Sequence, residues 1–176
     1  MKKIKQLVTI CSLALAFTFA SCSSDNDGNG GSVLAGDGLV TAKVDGTTVT
    51  STKELTQASL VTGQLSSLLI QGTNLQGDGF YITITGYDGA KTYEIGGENT
   101  IFAVCSYIDT DLNNPTQPNI WTGPYDEAGQ VVGQVVVTEA TDTRVKGTFS
   151  FTGKNVENNS LKTVTDGSFN VALTNF

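Results

Sequence analysis

The chain has 176 residues with 17 acids, ten bases and no histidine, a formal net charge of −7. The missing histidine excludes a Ser-His-Asp triad and any zinc site built on imidazole. The acid excess disfavours nucleic acid and anionic membrane surfaces, because both need a basic face to neutralise phosphates.

Residues 1–21 read as an export signal. Lys2, Lys3 and Lys5 make a basic start, and Leu7 to Phe19 is apolar apart from Thr9, Cys11, Ser12 and Thr18. A run this short falls below the ~20 residues of a membrane-spanning helix, and small residues close it as at a processing site. Cys22 stands immediately after Phe19-Ala20-Ser21. That arrangement resembles the lipobox of bacterial lipoproteins, with Phe19 where Leu is usual. The resemblance implies cleavage before Cys22 and acylation of its thiol, so the anchor is lipid. Each buried methylene contributes ~0.8 kcal/mol and stable attachment takes more than one chain, which a lipoprotein cysteine carries.

All 17 acids follow residue 21 and three of the ten bases precede it, so the processed chain holds 17 acids against 7 bases, net −10. The stretch "SSDNDGNGGS" (23–32) has no apolar residue. Such a segment buries too little surface to offset its ordering entropy, so residues 22–37 read as the lipidated cysteine and a tether. Ser24, Asp25, Asn26 and Asp27 resemble the Ser/Asp-rich signal that sends Bacteroidota lipoproteins to the outer leaflet. Asp25, Asp27, Asn29 and Gly30 also match the start of a calcium loop, but Gly36 stands where its bidentate Glu belongs.

Residues 38–176 then read as one all-β domain, large enough to bury roughly two-thirds of its unfolded surface. "LVTAKV" (39–44) and "TTVTS" (47–51) flank Asp45-Gly46, a tight-hairpin signal. "TKELTQASL" (52–60) is the best helix candidate, with Thr52 as cap, and reads equally as a strand. "FYITITG" (80–86) alternates Phe80, Ile82 and Ile84 with Tyr81, Thr83 and Thr85. Asp88-Gly89 joins it to "KTYEIGG" (91–97). "IFAVCSYI" (101–108) is apolar on both faces, which predicts a central strand covered twice. "EATDTR" (139–144) joins "GQVVVT" (133–138) to "RVKGTFSFTG" (144–153), where Val145, Phe149 and Phe151 share a face. "GSFNVALT" (167–174) sets Phe169, Val171 and Leu173 against Asn170, Ala172 and Thr174. Period two with one wet face is the pattern of antiparallel sheet. Gly133 and Gly147 inside strands predict bulges where the sheet curls. Roughly eight to ten strands predict an antiparallel β-sandwich, the alternative being a closed or partly closed lipocalin-like β-barrel.

The run "GQVVGQVVVTEATDTRVKGTFSFTGKN" followed by "VTDGSFNVAL" resembles the C-terminal half of a family of small Bacteroidota lipoproteins of unknown function. "KTYEIGG" is similar to a Tyr-containing strand end of the same family. The resemblance implies a β-rich fold on an outer-membrane or surface lipoprotein, and no catalytic residues.

Candidate sites are few. Asp109, Asp111 and Asn113 are spaced D-x-D-x-N in "YIDTDLNNPTQPN" (107–119), so alternate oxygens can converge on Ca²⁺. Asn114 replaces the Gly and Ile120 the Glu of an EF-hand, and the same residues make a plain polar hairpin loop. "NIWTGPYDEAGQ" (119–130) holds Trp121 and Tyr125 beside Asp126 and Glu127. Aromatic faces stack on sugar rings and carboxylates bond hydroxyls, so these four form a candidate glycan site; the competing reading packs Trp121 over the core edge. Once Cys11 leaves with the signal and Cys22 is acylated, Cys105 has no disulfide partner and no nearby base, and reads as a small buried hydrophobe.

The function expected is a non-catalytic binding or accessory module, lipid-anchored and facing the cell exterior, whose ligand is a glycan or a protein. The alternatives are a carrier of small apolar ligands with a barrel cavity, and a structural or adhesion protein. No cofactor is expected beyond the Ca²⁺ option.

Overall fold

Leu39–Val44 alternates apolar and polar side chains, turns at Asp45-Gly46 and returns as Thr47–Thr50, making strands β1 and β2. The two turn residues have φ of 48° and 86°, and Val44 pairs with Thr47, so the loop is the two-residue left-handed turn that Asp-Gly favours. The computed structural model describes residues 34–98, 102–125 and 129–176. Among these, nine more strands follow: β3 Thr56–Val61, β4 Ser67–Thr73, β5 Gly79–Thr85, β6 Thr92–Gly96, β7 Phe102–Asp109, β8 Asn119–Gly123, β9 Val131–Thr141, β10 Arg144–Lys154 and β11 Leu161–Asn175. The fold is all-β, as the period-two patterning predicts, with eleven strands where eight to ten are expected. It lies within one compact unit, Gly31–Phe176.

All eleven strands join one sheet in the order β2-β1-β11-β3-β4-β5-β7-β6-β9-β10-β8, and β10 also pairs with β11 and β7 with β8. The β10–β11 ladder therefore returns the sheet on itself around a single core. Two pairings are parallel, β3 with β11 and β6 with β7, against an antiparallel expectation. The parallel ladder of β6 is confined to Ile95 beside Ala103, and β8 continues along the same edge of β7 from Cys105 to Asp109.

Curling is concentrated at bulges. The β9–β10 register slips between Lys146 and Gly147, and the β6–β9 register slips between Ile95 and Gly96, next to Gly133. A Cβ on Gly147 would collide with the Val136 carbonyl oxygen and the Phe169 ring. Both neighbours of β11 slip where it passes Asp166, whose φ is 52°. An extra residue on one strand bends it and raises its twist, which lets long strands wrap a core.

The alternation in β5, β10 and β11 holds: Phe80, Ile82, Ile84, Val145, Phe149, Phe151, Phe169 and Val171 are buried. They pack with Tyr93, Leu68, Ile70, Val40, Val135 and Val164 in one cluster. One open choice is decided and one local expectation is corrected. Residues 52–60 make a 3₁₀ turn, Lys53–Leu55, and then β3, because β3 finds partners on both sides in β4 and β11. β7 is covered on one face only: Ala103, Cys105 and Tyr107 point inward, whereas Phe102 is 63% exposed. The Asp88-Gly89 turn joins two strands that do not pair with each other, since β5 pairs with β7 and β6 with β9.

The last residues assigned to the tether are held by the fold. Ala35 N–H donates to Ser168 Oγ at 2.7 Å, and Gly38 N–H donates to the Asn170 carbonyl at 2.8 Å. The Asp37 carboxylate bridges Lys53 Nζ at 3.0 Å and the Arg144 guanidinium.

Candidate functional site

Tyr107 and Trp121 sit opposite each other in the β7–β8 ladder, so both rings leave the same, inner face. Their centroids are 5.8 Å apart and 28° from parallel. The stack continues through Phe80, 5.6 Å from Tyr107, to Phe149, 5.4 Å from Phe80. Gly153 makes room for it, since a Cβ there would press on the Trp121 backbone. Lys162, opposite Gly153 in the β10–β11 ladder, lays its ammonium 4.9 Å from the Trp121 ring and 3.4 Å from Asp45 Oδ2. Trp121 is 6% exposed. Its face is occupied by protein and serves packing, so the sugar-platform role expected of it is corrected. Burial, helped by Asp109, Asp78 and Asp45, pushes the Tyr107 phenol well above its usual range and keeps it protonated.

The acid-rich loop is spent on its own turn. Asp111 Oδ1 accepts from Asn113 N at 2.8 Å and from Asn113 Nδ2 at 3.0 Å. Asp109 ends β7 opposite Asn119, and the next residue, Thr110, donates its N–H to Asp78 Oδ1 at 3.1 Å. Among the described residues no group of three or more acids and cysteines is placed to hold a metal ion. Asp111 thus makes an Asx turn with Asn113, a pattern that competes with cation binding for the same oxygen, while Asp109 belongs to the strand.

Tyr125 goes elsewhere than Trp121. It is half-buried and lines a surface hollow of about 270 Å³ with Thr122, Pro124, Lys154, Val156 and Asn159. The far wall is the turn between β10 and β11, built around Asn155, which is 2% exposed. Asn155 Oδ1 accepts from Glu157 N at 2.8 Å and Asn158 N at 3.3 Å, and its carbonyl accepts from Asn159 N at 2.9 Å. Asn158 Oδ1 accepts from Ser160 N at 2.9 Å. Asn159 is held at φ 59°, a left-handed conformation that Asn tolerates better than most residues. Ser160 Oγ accepts the Trp121 indole N–H at 2.9 Å, which ties this wall to the core.

Cys105 is fully enclosed, and burial pushes its thiol well above the normal range, so it is a packing group and not a nucleophile. Cys22, Ser24, Asp25, Asn26, Asp27, Asp126 and Glu127 lie outside the described residues. Residues 155–160 are missing from the sequence-level candidates. Their signal was the Asn-rich "NVENNS", which reads as a loop and says nothing of the wall it makes.

Comparison with protein families matches residues 37–172 to the family described as Domain of unknown function (DUF6252), and the chain belongs to that family. Neither the curated proteins nor the solved structures contain a match to it.

Proposed function

We propose that this member of the DUF6252 family is a lipid-anchored lipoprotein of the outer membrane, facing the cell exterior and acting as a non-catalytic binding or accessory module. Three boundaries support the anchor. Cys22 follows small residues after an apolar run, the family match begins at residue 37, and β1 begins at Leu39. On this reading a signal, a lipid attachment point and a spacer precede the part the family shares. Ser24-Asp25-Asn26-Asp27 is the outward-export segment of this reading.

The observation that carries a binding role is the hollow beside Tyr125. It combines an aromatic ring, exposed apolar carbon and polar side chains against a turn fixed by a buried asparagine, which is how recognition sites are pre-organised. The inward positions of the sheet are filled by packed side chains, which favours a surface site over a carrier cavity.

Two measurements on cells test the reading. Growth with an alkyne-tagged fatty acid should label the wild-type protein and leave Cys22→Ala unlabelled; equal labelling of both would sink the anchor. Protease added to intact cells should digest the wild type but spare a variant with Ser24, Asp25, Asn26 and Asp27 changed to Ala. Equal digestion would sink the export segment.

A further inference from the structure

We propose that the hollow formed by Pro124, Tyr125, Val156 and Asn159 is a subsite for one neutral sugar ring of a glycan. The proposal rests on the binding-module reading and narrows its ligand.

The chemistry of the walls selects a sugar. Tyr125, Pro124 and Val156, the last 83% exposed, offer ring and aliphatic carbon to the C–H face of a pyranose. Leaving an exposed valine beside a proline and a tyrosine costs solvation that an apolar contact recovers. Asn159, Thr122 and Lys154 stand on the same hollow. A carboxamide both donates and accepts, so it can pair with adjacent ring hydroxyls, and an ammonium adds donors only.

Size and charge narrow it further. Small-molecule pockets span roughly 300–1,000 Å³. At about 270 Å³ and open to solvent, this hollow holds one ring of a chain and leaves the rest outside. The register extends the surface: Thr122 and Leu161 both pair with Lys154, so they flank it on the outer face. The acid excess of the processed chain, net −10, disfavours uronic and sialic acids at long range, with Lys154 as a cation on the described lining. Asn159 is also pre-set, because its backbone N–H is bonded to Asn155 and its φ is fixed in the left-handed region. A backbone already ordered before binding has less freedom to lose.

The test uses the full-length lipoprotein in detergent, passed over immobilised neutral trisaccharides of glucose, mannose, xylose and N-acetylglucosamine. Polygalacturonate and a Phe/Leu-rich peptide run alongside. At least one neutral trisaccharide should be retained. Tyr125→Ala and Asn159→Gly should each weaken that retention tenfold or more, glycine being chosen because it accepts positive φ. Gln71→Ala, on a different hollow, should leave it unchanged. An unchanged urea midpoint for each variant shows that the fold is kept. Failure to retain any neutral sugar, or retention indifferent to Tyr125 and Asn159, overturns the subsite. Retention of the peptide instead, lost in Tyr125→Ala, overturns the sugar while leaving the binding module standing.

Discussion

The Trp121 indole N–H donates to Ser160 Oγ at 2.9 Å, across 39 residues of sequence. The bond fastens the turn between β10 and β11 to the aromatic stack inside the sheet. Ser160→Ala would leave a buried indole N–H unpaired, at a cost of about 1–3 kcal/mol. The urea midpoint should fall accordingly, and backbone amides of residues 155–160 should exchange faster. A variant with an unchanged midpoint and unchanged exchange would show that the bond carries neither stability nor the wall of the hollow.

Phe169 and Gly147 form the second such pair, because the ring fills the space that the missing Cβ leaves. Phe169→Ala removes a 2%-exposed ring and opens a cavity, a loss of about 3–5 kcal/mol. Gly147→Ala adds a methyl against the Val136 carbonyl oxygen and that ring, and should be as harmful for the opposite reason, overpacking. The double variant should then recover only the share of the loss that comes from the clash with the ring, because the clash with the Val136 carbonyl oxygen stays. Strictly additive thermal shifts would mean that ring and backbone adjust independently.

These core positions were legible along the chain because alternation is local. Phe80, Ile82 and Ile84, or Val145, Phe149 and Phe151, declare their shared face within a few residues, and Asp45-Gly46 declares its turn. Neighbour choice is not local. Nothing in "FYITITG" and "KTYEIGG" tells that β7 inserts between them, or that β3 runs parallel to β11, because those pairings are decided by closure of the sheet. The same limit hid the site. Trp121 and Tyr125 are four residues apart, a spacing that period two alone would place on one face, yet β8 ends at Gly123 between them, so one ring enters the core and the other lines the surface hollow. Asn159 joins Tyr125 through the β8–β10 pairing of Thr122 with Lys154 and the Trp121–Ser160 bond, both remote in sequence.

Asp37 carries a pH dependence of known sign. Hydrogen bonds from Lys53 and then Arg144 hold its carboxyl below the ordinary value of 3.8. A carboxylate with a depressed folded pKa stabilises the fold above its unfolded pKa, and the contribution disappears as pH falls through the folded value. The difference in urea midpoint between wild type and Asp37→Asn should therefore be constant at neutral pH and shrink below about pH 3.8. The group is fully exposed, so salt should shrink it too. A difference that grows on acidification would contradict the clamp on the start of β1.

The proposed lipid anchor gives the three cysteines three different fates, and a thiol count tests it. Cys11 should leave with the signal, Cys22 should be blocked by thioether-linked lipid, and Cys105 is enclosed in the core with its thiol pKa pushed up by burial. Native protein extracted from membranes should thus give almost no reaction with a thiol reagent at neutral pH, since neither thiolate nor access is available. In guanidinium it should give one thiol per chain, at Cys105. Protein made without lipidation and retaining its signal should give three. Two reactive thiols in the denatured, processed wild type would mean that Cys22 is free and that the lipid anchor is wrong. Rapid reaction of the native form would mean that Cys105 is reached through openings of β7 well below global unfolding.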